Sequence, residues 1–177
     1  MEQDKRAEYI TIVDKNGKYL GIEEREKCHR GEGILHSAFL VMIFNDKAEL
    51  MLAKRSKTKS LWPDYWDGTV ASHYHSEKNQ KSSVKQRIFD EIAVASDQID
   101  YLFNFHYHAT YREIGAEHEI CDVFEARNIQ SCDVAPNKLE ISEIKFLDMP
   151  ALKKEIRDNS KAYAPWFLIA LEKYNSL

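Results

Sequence analysis

Long apolar runs, paired cysteines and an excess of charge of one sign are what this 177-residue sequence has least of. No apolar stretch approaches the ~20 residues that cross a bilayer as a helix, so no membrane partner is expected. The three cysteines, Cys28, Cys121 and Cys132, are an odd and sparse set without a Cys-x-x-Cys pair. They make neither a disulfide framework nor a thiolate zinc site. With 25 Lys+Arg against 29 Asp+Glu, the net charge of −4 leaves no broad basic field for nucleic acid. Four prolines and six glycines are too dispersed to form a linker, and no repeat divides the chain. The polar start, Met1 to Arg6, is followed by no segment resembling a secretory signal. The expectation is one domain over residues 1–177, soluble, reduced and cytoplasmic, acting as a monomer or weak dimer.

What is present is ordinary for a globular domain. Hydrophobic residues make up 44% of the chain, and a chain of this length buries roughly 70% of its unfolded surface. Tyr9 to Val13 and Tyr19 to Ile22 read as strands around a turn at Asp14–Gly17. His36 to Phe44 is an apolar, β-forming run, and Glu49 to Ala53 returns as its hairpin partner. Leu61 to Gly68 reads as an aromatic loop, opposed to regular structure by Pro63 and Gly68. Ser82 to Ala95 is the central helix, with Val84, Ile88, Ile92 and Ala95 on one stripe. Phe103 to Thr110, Glu117 to Ala126 and Glu140 to Leu147 read as strands. Pro150 opens a short helix and Tyr163 to Tyr174 a closing one. Strands on both sides of one helix predict a mixed α/β (or α+β) domain.

Three clusters carry chemistry. His29 and His36 flank the bend Arg30-Gly31-Glu32-Gly33, and His73 follows the aromatic loop. Glu117 and Glu119, two apart on a strand, share one face and leave His118 on the other. Each residue alone fits a solvated surface or a satisfied core, but two like charges at that spacing are costly without a cation between them. Together the five favour a divalent metal. Arg25, Arg55, Lys59 and Arg87 form a second set, able to neutralise a diphosphate; Arg87 with Glu91 is equally readable as a helical ion pair. Trp62, Trp66, Tyr107 and Trp166 wall a pocket in one reading and fill a core in the other. The segment Phe105-His106-Tyr107-His108 alternates like a strand and has no ligand spacing of its own.

In their order along the chain these motifs resemble the type 1 isopentenyl-diphosphate isomerases, a branch of the Nudix superfamily. The resemblance is carried by Arg25-Glu26-Lys27-Cys28-His29, Leu35-His36-Ser37-Ala38-Phe39, Lys54 to Lys59, Trp62-Pro63, Ser72-His73, Glu117-His118-Glu119 and Ala164-Pro165-Trp166. It implies a Nudix α/β/α sandwich with a mixed sheet and short C-terminal helices. His29, His36, His73, Glu117 and Glu119 match the family's metal ligands (Zn²⁺, Mn²⁺ or Mg²⁺). Glu91 matches the helix glutamate that reaches a second Mg²⁺ bound with the diphosphate. Arg25 (usually Lys in the family), Arg55, Lys59 and Arg87 match diphosphate-binding positions. Trp62, Tyr107 and Trp166 frame the pocket for a prenyl group, and Glu119 with Tyr107 matches the proton donor.

Two departures matter. Against the hydrolase pattern Arg-Glu-U-x-Glu-Glu-x-Gly-U, the chain reads Gln86 to Val94, with Arg87 at the first Glu and Ala93 at the Gly. That exchange removes a metal-holding carboxylate and favours isomerisation over hydrolysis. The family's catalytic cysteine is replaced by Ala71, and a methyl group cannot exchange a proton. The readings that follow are alkene protonation leading to isomerisation, cyclisation or hydration of a prenyl diphosphate, a diphosphate hydrolase, or a relative that binds a diphosphate without turning it over.

Overall fold

The ten-residue run His36–Asn45 is buried at every position. Its period of two explains why Ala38 to Phe44 is apolar throughout: Leu40, Met42 and Phe44 enter one core while Phe39, Val41 and Ile43 enter another. The computed structural model describes residues 8–75 and 80–177; the Met1–Arg6 stretch lies outside them. In chain order the elements are β1 (Tyr9–Val13), β2 (Tyr19–Glu24), α1 (Arg25–Cys28), β3 (His36–Asn45), β4 (Leu50–Arg55), β5 (Trp66–Asp67) and β6 (Val70–His73). They continue with α2 (Gln80–Ile92), β7 (Asp100–Tyr111), β8 (Gly115–Ile129), β9 (Ile141–Leu147), α3 (Met149–Asn159) and α4 (Pro165–Tyr174).

β3 pairs in parallel with β8, from His36↔Glu119 onward, and antiparallel with β6, from Ala38↔His73 to Val41↔Val70. β7 closes against β8 as a long antiparallel hairpin. β1 and β2 extend the sheet on the other side, and β4 carries β5 and β9 as a second group of strands. Val84, Ile88 and Ile92 of α2 pack on the odd face of β3, whereas Leu152 of α3 and Trp166, Phe167, Ala170 and Leu171 of α4 pack on the even face. The result is the expected mixed sheet between helices. Among the described residues no helix is long and apolar enough to cross a membrane.

Several boundaries differ from the sequence reading. The central helix ends at Ile92 rather than Ala95, because Ala93 turns to φ 59° and its N–H closes on the Phe89 carbonyl at 2.8 Å. Ala95 is exposed beyond it. The aromatic loop holds a two-residue strand, and β6, only four residues long, is too short for periodicity to reveal. The closing helix starts at Pro165, while Tyr163 forms an isolated bridge to Trp66.

One buried acid docks the C-terminal helix. The Trp166 indole N–H donates to both Asp67 carboxylate oxygens, at 2.9 and 3.0 Å, and the Gly68 N–H donates to Oδ1 at 2.7 Å. Burial pushes the Asp67 carboxyl up to about 6, against the pull of Arg55, the Gly68 N–H and Trp166.

Two outcomes follow from this architecture. A left-handed φ at a residue with a Cβ is strained, so Ala93→Gly is expected to stabilise the fold by about 1 kcal/mol, read as a higher urea midpoint at unchanged m-value. Asp67 keeps its proton in the fold to a higher pH than in the unfolded chain. Its contribution is therefore full below about pH 4 and is lost as pH rises through about 6. The stability of the wild type relative to Asp67→Asn should fall across that window in urea titrations; a difference that stays flat or rises contradicts the assignment.

Candidate active site

Register brings the histidines and acids together. His36 opens β3 directly beside Glu119 of β8, and His73 closes β6 opposite Ala38, two residues further along β3. His29 arrives from the end of α1, where a close backbone approach holds it. The Ala116 N–H donates to the His29 carbonyl at 2.9 Å, and a Cβ on Gly115 would stand 2.2 Å from that same oxygen. Only glycine at 115 admits this contact. Gly33, at φ 74°, turns the chain back towards β3.

The three imidazole centroids lie 4.9, 5.0 and 4.9 Å apart. One ligand atom from each of His29, His36, His73, Glu117 and Glu119 falls within 4.8 Å of all the others. The Nδ1–H groups of His29 and His36 are set to donate to the carbonyls of Arg25 and Ile34, at 2.6 and 2.7 Å. That arrangement turns Nε2 and its lone pair inward. His29 Nε2 and Glu117 Oε2 stand 2.8 Å apart, yet both are buried without a hydrogen bond. Among the described residues only Thr11 Oγ1 shares that condition. Buried polar atoms are nearly always satisfied, and a divalent ion between these five donors satisfies both. The donor set therefore fits a metal.

The charges point the same way. Burial opposes ionisation of Glu117, but His29, His36 and His73 outweigh it and hold the carboxyl well below the usual range. Burial and the Glu117 charge oppose ionisation of Glu119, which His36 and His73 again pull down. Burial disfavours a charge on His36, yet the two carboxylates raise it to about 10. The raised His36 thus holds a positive charge between the two carboxylates, the place a bound metal ion would take. The other oxygen of Glu119 accepts a 2.5 Å hydrogen bond from the Tyr107 hydroxyl. Burial first, and then the Glu119 and Glu117 charges, keep that phenol protonated.

A cavity of about 230 Å³ opens beside this cluster, lined by Glu117, Glu119, Tyr107 and Trp166 and, further along, by Arg25, Arg55, Lys59 and Arg87. All four cationic residues thus border one space, and each already has a carboxylate. Arg25 pairs with Glu8 at 3.4 Å and Arg55 with Asp67 at 3.4 Å. Lys59 pairs with Glu140, and Arg87 with Glu91 at 2.7 Å and Glu140 at 3.1 Å. Glu91 lies in an adjoining recess shared with Arg55, Lys59, Ala71 and Glu140. Burial pushes its carboxyl up to about 7 despite Arg87 and Lys59.

The aromatic set divides. Trp166 and Tyr107 line the cavity, with centroids 6.1 Å apart, and the Arg55 guanidinium lies 5.0 Å over the Trp166 ring. Trp62 does not line it. It packs edge-on behind Trp166 at 5.2 Å and gives its carbonyl to Arg55 Nε–H at 2.9 Å, so it supports the wall from behind. Trp66 lies elsewhere, under Lys145 Nζ at 4.0 Å. Ala71 and Cys121 both face the cavity. Sequence reasoning missed Glu140 and Asp67 as partners of the cations; the only available signal was that four basic residues require counter-charges.

A profile of the NUDIX domain family matches residues 34–167. The chain is 30% identical over 172 residues to the isopentenyl-diphosphate Delta-isomerase of Haloarcula marismortui, covering 93% of this chain and 89% of that one. It is 29% identical over 163 residues to isopentenyl-diphosphate Delta-isomerase 1 of Photorhabdus laumondii, covering 90% of each. Among solved structures, a Deinococcus radiodurans protein superposes with TM-score 0.69 at 20% identity, covering 86% of this chain and 90% of that one. A MutT protein from Methanosarcina mazei gives 0.65 at 17%, covering 80% and 94%. At such identities the two structures speak for the fold alone. By profile, by sequence and by fold, the chain belongs to the Nudix domain family, in its isopentenyl-diphosphate isomerase-like branch.

Proposed function

We propose that the chain is a divalent-metal-dependent enzyme that protonates and deprotonates the alkene of a short isoprenoid diphosphate. The observation that carries this reading is the Tyr107–Glu119 hydrogen bond, set between the five-ligand cluster and the Trp166 wall of a cavity that also receives four cations. A phosphate binder has no use for such a carboxyl. Hydrolysis is poorly served, because Arg87 stands where the hydrolase pattern has its first glutamate, while Asp90 is bonded to Gln86 at 2.8 Å. The relatives named as isopentenyl-diphosphate Delta-isomerases support the same class of substrate.

His29, His36, His73, Glu117 and Glu119 hold the metal in this reading. The imidazole-rich set suits Zn²⁺ or Mn²⁺, while Mg²⁺, which prefers oxygen, accompanies the diphosphate near Glu91. When bound, the ion would supply the charge that keeps two adjacent carboxylates together. Arg25, Arg55, Lys59 and Arg87 grip the two phosphates, the arginines through forked hydrogen bonds. Glu119, which the free site holds ionised, takes up a proton from solvent once the anionic substrate is bound and, steadied by the Tyr107 hydroxyl, delivers it to the terminal alkene carbon. The π pair forms the new C–H bond and leaves a tertiary cation, which the faces of Trp166 and Tyr107 attract. Loss of a neighbouring proton restores a double bond, whereas capture of water gives an alcohol.

Ala71 cannot take that second proton, so it passes to water, to a diphosphate oxygen or to another base. The cavity of about 230 Å³ lies below the roughly 300–1,000 Å³ of pockets for drug-sized ligands.

In heavy water, recovered isopentenyl or dimethylallyl diphosphate should gain deuterium, and Glu119→Gln should reduce the exchange by about 10²-fold or more. Phosphate release from nucleoside diphosphates without such exchange would overturn the reading in favour of hydrolysis; no turnover of either kind would leave a binding protein. Restoring the thiol with Ala71→Cys should raise isopentenyl–dimethylallyl interconversion by about 10²-fold or more. No gain in that assay argues against position 71 as the second proton carrier.

A further inference from the structure

The β7–β8 hairpin has two chemically distinct faces. Its inner face carries Tyr107, Glu117 and Glu119. Its outer face carries His106, His108 and His118, three imidazoles that the candidate active site does not use. His108 stands directly across from His118 in the strand register. The His118 ring lies between the other two, 5.1 Å from His106 and 4.8 Å from His108. The Nε2 atoms of His106 and His118 are 3.0 Å apart.

That distance is informative. Two imidazole nitrogens this close must share either a proton or a cation, since two lone pairs or two N–H groups facing each other repel. Ligands about 2.0–2.1 Å from one metal sit roughly 2.9 Å apart at a right angle and roughly 3.4 Å apart at a tetrahedral angle. The observed separation falls between these values, so the two nitrogens are spaced as ligands of one ion are, and a small rotation of the rings off their mutual hydrogen bond aims both at it. His108 Nε2 is engaged with the Glu32 carbonyl at 2.7 Å, and the exposed Glu32 carboxylate stands 3.8 Å from it. Release of that bond frees His108 to turn towards the ion on the same side of the strands.

We propose a second metal site on this outer face. His106 and His118 are its preset ligands, and His108 completes it by rotation. Three imidazoles select a borderline transition cation, Zn²⁺, Ni²⁺ or Cu²⁺, over Mg²⁺ or Ca²⁺. The site is independent of the proposed function, but its position has a consequence for it. Tyr107 and Glu119 are cross-strand partners in the same register. An ion joining His106 to His118 therefore ties together the two strands that set the proton-donating pair, and acts as a clamp behind it.

The test is calorimetric titration of the full chain with Zn²⁺ in excess Mg²⁺. The wild type should take up two equivalents per chain. His106→Gln/His118→Gln should lose one and His36→Gln the other, so the failure of either site is separately visible. Circular dichroism checks folding; where the double variant does not fold, His106→Gln alone should weaken the outer equivalent at least about tenfold. Cu²⁺ added to His36→Gln should show imidazole nitrogen couplings in its electron paramagnetic resonance spectrum. An outer equivalent that persists undiminished in the His106 and His118 variants, or a spectrum without those couplings, overturns the proposal.

Discussion

The costliest arrangement in this chain is the burial of Glu117 and Glu119 side by side on one strand face. Two ionised carboxylates removed from water are tolerated only when opposite charge and hydrogen bonds meet them. Here three imidazoles from three separate segments do so, and one further oxygen is met by the Tyr107 phenol. The parallel pairing of β3 with β8 exists in a form that delivers His36 to Glu119. The close contact at Gly115 delivers His29, and the short β6 delivers His73.

Much of this was legible in the sequence, for physical reasons. β3 was readable because a strand buried on both faces reads as a continuous apolar run, here Ala38 to Phe44. The metal-like set was readable because Glu117 and Glu119 at alternate strand positions demand a cation. Other features were not. β6, four residues long, spans only two repeats of the strand alternation, too few to stand out from its surroundings. Trp62 and Trp166 look equivalent in a sequence, and only the packing of α4 onto β5 through Asp67 shows which of them lines the cavity. The histidines of β7 appeared to lack a further ligand because their neighbour, His118, comes from another strand, and cross-strand register is not written in one sequence.

The hairpin of β7 and β8 also shows how alternation separates two chemistries by the thickness of one strand. Its inner positions are closed off from water and hold strongly perturbed groups, while its outer positions are open and adaptable. Position 71 lies nearby on β6, lining the same cavity. In the proposed function, the chemistry of this one side chain decides what becomes of the second proton.

The pairing of each cradle cation with its own carboxylate, by Glu8, Asp67, Glu140 and Glu91, reaches beyond affinity. Opposite charges a few ångströms apart cancel at a distance, so the mouth projects little long-range potential into solution. For an anion such as the proposed diphosphate, these pairs would add little to a long-range pull, and entry would require the internal pairs to exchange partners.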